Sequence, residues 1–108
     1  MSSTVSNILL RAADKLRKPE NFTQGALARD SEGNPCLPPR GVCWCGVGAV
    51  NFCTPPYPES VGTEVREFVN EYGLSLQALS DDGPAASARL EVVEELDYLA
   101  YRAREQGK

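Results

Sequence analysis

The feature that most constrains the fold is an uncharged run of twelve residues, 42–53, which lies between two pairs of prolines. A run without charge belongs in a protein interior, and the prolines prevent a helix from continuing past either end of it. Its length suits a buried helix or a buried strand, and periodicity alone does not separate the two. Because glycine in a buried helix lets a neighbouring backbone approach closely, we favour a central packed helix that contains Trp44 and Cys45.

Residues 5–16 predict the clearest amphipathic helix, because their apolar side chains recur every three or four positions. These side chains are Val5, Ile8, Leu9, Ala12, Ala13 and Leu16. Ser3 or Thr4 is suited to cap its start, and Pro19 prevents it from continuing. Residues 20–41 follow as a loop rich in proline and glycine, in which residues 26–30 predict a short strand or a single helical turn.

Two more helices are predicted in the second half of the chain. Residues 63–72 carry apolar side chains on one face and glutamates on the other, with Gly73 as a C-cap. Residues 74–79 alternate apolar and polar side chains, which is typical of an extended segment. The last helix covers about residues 86–103. Its predicted inward side chains are Leu90, Val93, Leu96, Leu99, Ala100 and Ala103.

These segments predict a mostly α fold, in which about four helices surround one core. The chain of 108 residues is of a size for one domain over residues 1–108. A loop rich in proline and glycine follows the first helix, with one short hairpin as an additional option. No apolar run approaches the roughly 20 residues that span a bilayer, and the start of the chain lacks the pattern of a signal peptide. We therefore expect a cytoplasmic protein with reduced cysteines.

The charge of the chain argues against nucleic acid as a partner, and the lack of a long apolar run argues against a membrane. The formal net charge is −4. Residues 1–40 carry six lysines and arginines against four carboxylates, whereas residues 41–108 carry five against eleven. An acidic surface repels phosphate backbones, so direct nucleic-acid binding is not expected. The acidic half suits a protein partner with a basic surface.

The spacing of the cysteines and the absence of histidine argue against metal binding and catalysis. The four cysteines are spaced C-x6-C-x-C-x7-C, and the chain has no histidine. Zinc sites usually use C-x2-C pairs, so we expect inert thiols, no metal and no cofactor. Without histidine there is no Cys-His or Ser-His-Asp machinery, and we expect no enzyme activity. Asp81 and Asp82 precede Gly-Pro and are typical of a turn.

The acidic face of the last helix is the candidate partner surface. Its carboxylates are Glu91, Glu94, Glu95 and Asp97. The plain alternative is that they form the solvated side of an amphipathic helix. The first functional hypothesis is therefore a small protein-binding module.

A second hypothesis is a small-ligand or nucleotide-binding domain. Its candidate ligand-binding residues are Gln24, Arg29, Asp30 and Trp44, together with the region from Gly41 to Gly48. The glycines there match neither a dinucleotide fingerprint nor a Walker loop, so packing is the plainer explanation of them. A third possibility is a homodimer that serves only as a scaffold.

Three stretches together resemble a family of small helical proteins found in phages, prophages and actinobacteria. The stretches are residues 8–13 (Ile-Leu-Leu-Arg-Ala-Ala), 22–30 (Phe-Thr-Gln-Gly-Ala-Leu-Ala-Arg-Asp) and 44–49 (Trp-Cys-Gly-Val-Gly-Ala). The sequence departs from the family pattern at Asn21-Phe22, where Gly-Trp is typical, and at Ser80, where a tryptophan is typical. The resemblance implies a helical fold and an origin in a mobile element, and it implies no activity. On this basis we expect an inhibitor or adaptor of a host protein, by analogy with other phage proteins of this size.

Overall fold

The computed structural model describes residues 4–72 and 76–108, and within them the chain is mostly helical, as predicted. Five α-helices and a three-stranded antiparallel sheet form there, instead of four helices and a hairpin. Their order is α1 (Thr4–Leu16), β1 (Ala28–Arg29), β2 (Pro35–Cys36), β3 (Cys43–Trp44), α2 (Gly46–Cys53), α3 (Glu59–Tyr72), α4 (Leu76–Ser80) and α5 (Ala85–Glu105). Short 3-10 turns cover Pro19–Asn21 and Pro38–Arg40. The predicted caps at Ser3 and Gly73 lie outside the described residues.

Helix α1 forms the centre of the core, packed mainly against α5 and α2. All six of its predicted inward side chains are buried, which confirms the reading of its spacing. The largest fully buried side chains around it are Phe68, Leu9, Leu16, Leu96 and Leu99. Arg89 of α5 donates to the carbonyls of Leu16 and Arg17 at 3.1 and 2.8 Å, so α5 also caps the end of α1.

The prediction of one helix over residues 42–53 is wrong, although Trp44 and Cys45 are buried as expected. Trp44 belongs to β3, which pairs with β1, and α2 begins only after Cys45. The thiol of Cys45 caps α2 by accepting a hydrogen bond from the amide of Gly48. A Cβ at Gly48 would overlap the carbonyl oxygen of Leu27, so α2 packs directly on the backbone that leads into β1. This contact joins α2 to a segment that is distant along the chain.

Helices α3 and α4 differ from the predicted segments at their boundaries and in type. Helix α3 begins at Glu59, four residues before the predicted start. Residues 76–80 are helical, so the extended prediction is wrong there, and residues 74 and 75 lie outside the described part. The hydroxyl of Ser80 donates to the Leu76 carbonyl at 2.6 Å and accepts from the amide of Gly46 at 2.9 Å. These bonds join α4 to the start of α2.

Helix α5 is confirmed, but Leu90 does not face the core as predicted. Its side chain is 54% exposed, whereas Ala88 and Val92 are fully buried. Leu90 lies nine positions before Leu99, which at about 100° per residue places it on the opposite side of the helix. The other predicted inward side chains of α5 are buried.

Candidate functional site

The outer face of α5, defined as Leu90, Glu91, Glu94, Tyr98 and Tyr101, is an exposed strip with both apolar and acidic side chains. Its members are separated by one, three or four positions and therefore lie along one side of the helix. Tyr98 is 48% exposed and Tyr101 is 62% exposed, and both glutamates are exposed. Neither glutamate takes part in the ion pairs that Arg17 forms with Asp14 and Asp97, and neither forms another ion pair within the described residues. About half or more of each of Leu90, Tyr98 and Tyr101 is therefore open to solvent.

The two remaining predicted carboxylates of α5 lie beside this face. Asp97 accepts a hydrogen bond from the Arg17 guanidinium at 2.6 Å, and Arg17 also pairs with Asp14 at 2.6 Å. Glu95 is half-buried. The structure thus brings Glu91 and Glu94 together with two tyrosines, and it directs Asp97 toward α1.

The polar residues of the second hypothesis hold the loops on both sides of β1 in place. The Gln24 amide donates to the carbonyls of Ser80 and Gly83, each at 2.9 Å. The Arg29 guanidinium donates to Thr23 Oγ1 and to the carbonyls of Gln24 and Gly33. The Asp30 carboxylate accepts from the amides of Glu32 and Asn34. Each of these three side chains is hydrogen-bonded inside the fold, and ligand binding by them stays a prediction.

Trp44 is likewise engaged on every side. Its ring is only 5% exposed, and the indole N–H donates to the Pro38 carbonyl at 2.9 Å. The ring of Phe52 lies against it with 4.6 Å between centroids. The ammonium of Lys15 lies 5.0 Å from the Trp44 centroid and 4.8 Å from that of Phe52, which is a cation–π arrangement. The indole is a structural group in this setting.

All four cysteines are free thiols. Burial raises the pKa of the Cys45 thiol, although amide donors at the start of α2 oppose this. Burial also raises the pKa of Cys53, against the effect of the nearby cations Lys15 and Arg11. Thiols with raised pKa values are poor nucleophiles at neutral pH. Within residues 4–72 and 76–108, no cluster of three or more histidine, cysteine or acidic side chains is placed to hold a metal ion.

A groove between α2 and α3 is the feature that sequence reasoning missed, and we call it the α2–α3 groove. It consists of two adjoining clefts of about 620 and 230 Å³. Both clefts are lined by Asn51, Thr54, Gly62 and Arg66. The smaller cleft has an apolar floor made by Val47, Val50, Val65, Val69 and Leu76. None of Gln24, Arg29, Asp30 and Trp44 lines either cleft.

One signal in the sequence points to this groove. Arg66 is the single basic residue of α3, a helix that also carries four glutamates. The residues three and four positions away from it are Gly62, Thr63, Val69 and Asn70, and none of them is acidic. An arginine without a helical partner on an acidic helix is therefore readable from spacing alone. The sequence does not show that α2 forms the opposite wall of the groove.

No helix in the described part of the chain combines the length and the apolar character needed to cross a lipid bilayer. The longest helix, α5, has charged side chains distributed over its 21 residues.

Comparison with known proteins assigns the chain to a family. A family model described as "Family of unknown function (DUF6197)" matches residues 1–104, so the chain belongs to that family. No curated protein matches the sequence, and no solved structure matches it. Function is therefore inferred from the surface of this chain alone.

Proposed function

We propose that this family member is a small protein-binding module that contacts a basic surface of a partner protein through the outer face of α5. We further propose that it is a phage- or prophage-derived inhibitor or adaptor that acts on a host protein in the cytoplasm. The origin rests on the sequence resemblance described above, and the binding role rests on the composition of the α5 face.

The observation that carries the proposal is the exposure of apolar and aromatic side chains beside unpaired carboxylates. Leu90, Tyr98 and Tyr101 are each about half or more exposed on one side of a single helix. Tyrosine is enriched at protein interfaces because it buries a large, rigid area and keeps a polar end. An amphipathic helix that were merely solvated would carry polar side chains at these positions.

The charge of the face indicates the kind of partner. Glu91 and Glu94 flank the aromatic side chains, and the described residues hold no basic side chain paired with either of them. Carboxylates at an interface steer a basic partner and increase the association rate, an effect that salt weakens. A partner with lysines or arginines around an apolar patch fits this face.

A charge-reversal comparison tests the proposal. The variant Glu91→Lys/Glu94→Lys reverses the face, and Glu64→Lys/Glu67→Lys makes the same change of charge on the exposed side of α3. Both pairs are exposed, so both variants should keep the melting temperature of the wild type. Each protein is immobilised and exposed to a lysate of an actinobacterial host at low and at high salt.

We expect one basic protein to be retained by the wild type and by the α3 variant, and lost by the α5 variant and by Tyr98→Ala/Tyr101→Ala. Retention should fall at high salt. The proposal is refuted if the α5 variant retains every protein that the wild type retains.

A further inference from the structure

We propose that the α2–α3 groove binds a small molecule that has an apolar body and one carboxylate, with Arg66 as the group that holds the carboxylate. This site is separate from the α5 face and does not depend on the function proposed for it.

The larger cleft has the volume of a small-ligand site, and the smaller one adds an apolar lining. The two clefts, of about 620 and 230 Å³, share four lining residues, and Gly62 and Arg66 are two of them. Small-molecule sites span roughly 300–1,000 Å³ and combine an apolar surface with a few polar groups. Branched aliphatic side chains form the floor of the smaller cleft, which we call the inner cleft; the larger one is the outer cleft. This floor suits an apolar body.

Three polar side chains of the groove form no hydrogen bond within the described part of the chain, whereas the hydroxyls of Thr54 and Thr63 donate to helix carbonyls. Arg66 forms no ion pair or hydrogen bond with the described part of the chain. The side-chain amides of Asn51 and Asn70 also have no described hydrogen-bond partner, and both residues line the smaller cleft. One guanidinium matches one carboxylate, since the two groups can form paired hydrogen bonds. A doubly charged phosphate fits less well, because the described residues that line the outer cleft include one cation, Arg66, and also the carboxylate of Glu59.

Gly62 gives independent support, because nothing in the packing requires a glycine at this position. The other described glycines have a positive φ or would bring a Cβ within 3.0 Å of a neighbouring atom. At Gly62 the nearest atom to an added Cβ is Thr54 Cγ2, at an ordinary 3.8 Å. Glycine weakens a helix interior relative to alanine. We infer that its absent side chain keeps the junction of the two clefts open.

The test uses sodium octanoate as the probe and 1-octanol as its uncharged counterpart, each titrated into the intact protein and followed by amide chemical shifts. We expect saturable shifts confined to α2, α3 and α4 with octanoate. Octanol should bind at least about tenfold more weakly, because it lacks the charge that the arginine recognises.

Three variants separate the parts of this proposal. Arg66→Gln should weaken octanoate binding by about tenfold or more, whereas Arg104→Gln, on the exposed end of α5, should leave it unchanged. Gly62→Leu should abolish binding by filling the junction, and its fold is checked by its melting curve. If Gly62→Leu does not fold, the arginine pair decides the outcome.

The proposal is overturned if octanoate produces no saturable shifts, if Arg66→Gln binds it as tightly as the wild type, or if octanol binds equally well. None of these outcomes bears on the α5 face, since that face is tested with separate variants.

Discussion

Replacing Gly48 with alanine tests the closest approach between two segments of the fold. An alanine Cβ there would overlap the carbonyl oxygen of Leu27 and lie 2.8 Å from its carbonyl carbon. Both atoms belong to the backbone, so no side chain can rotate away. The same carbonyl accepts a hydrogen bond from the amide of Cys45 at 3.2 Å. The strand segment and α2 must therefore separate, and this hydrogen bond is lost or stretched.

The expected effect follows from three contributions. Overpacking against a rigid neighbour costs about 1–3 kcal/mol, and the upper part of that range applies because the obstacle is backbone. A lost hydrogen bond adds about 1 kcal/mol. The better helix propensity of alanine offsets about 1 kcal/mol. Gly48→Ala should therefore lower the free energy of unfolding by about 2–3 kcal/mol.

Gly62→Ala is the matched control, because it makes the same chemical change where 3.8 Å of space is present. Only the propensity contribution applies to it, so it should stabilise the protein by up to about 1 kcal/mol. Urea unfolding of the wild type, Gly48→Ala and Gly62→Ala measures the differences in the free energy of unfolding. In a thermal melt, each kcal/mol corresponds to about 4–8 °C in Tm for a domain near this size. If Gly48→Ala is as stable as Gly62→Ala, the contact with Leu27 does not constrain the fold and the reasoning fails.

Two further predictions concern Trp44 and Asp81. Trp44→Ala should lower the free energy of unfolding by about 3–5 kcal/mol, and Trp44→Phe by about 1–3 kcal/mol, because the Pro38 carbonyl then loses its donor. A loss below about 1 kcal/mol in the alanine variant, measured by urea unfolding, would contradict the burial of the indole. Hydrogen bonds from the Gly25 amide and the Gln77 side chain lower the pKa of Asp81 below its ordinary 3.8. A carboxyl group whose pKa is lower in the folded than in the unfolded protein stabilises the fold. This stabilisation is complete when the pH is above the pKa of the unfolded state, and it is lost as the pH falls through the pKa of the folded state. Melting curves of Asp81→Asn should therefore show a smaller decrease in Tm between pH 6 and pH 3 than those of the wild type, and equal decreases would show that this carboxylate does not couple folding to pH.

The sequence predicts correctly the residues whose burial depends on local spacing. In α1 every apolar side chain in the 3.6-residue pattern is buried. A helix long enough to show this pattern turns the same face inward wherever it packs. The α5 helix was found in the same way, and so was the termination of α2 before Pro55 and Pro56. The acidic character of the α5 surface is also a matter of composition.

Tertiary structure alone decided the features that join distant parts of the chain. Trp44 lies in a strand because β1 pairs with it, and the pairing partner is not visible in the local pattern around the tryptophan. Spacing places Leu90 and Leu99 on opposite sides of α5, and the packing of α1 against α5 decides which of the two sides is buried. The α2–α3 groove exists because the fold places Gly62 and Arg66 of α3 and Asn51 of α2 around the same clefts. The spacing of residues along a sequence indicates which residues share a face of a helix. It does not indicate which other element of the fold packs against that face.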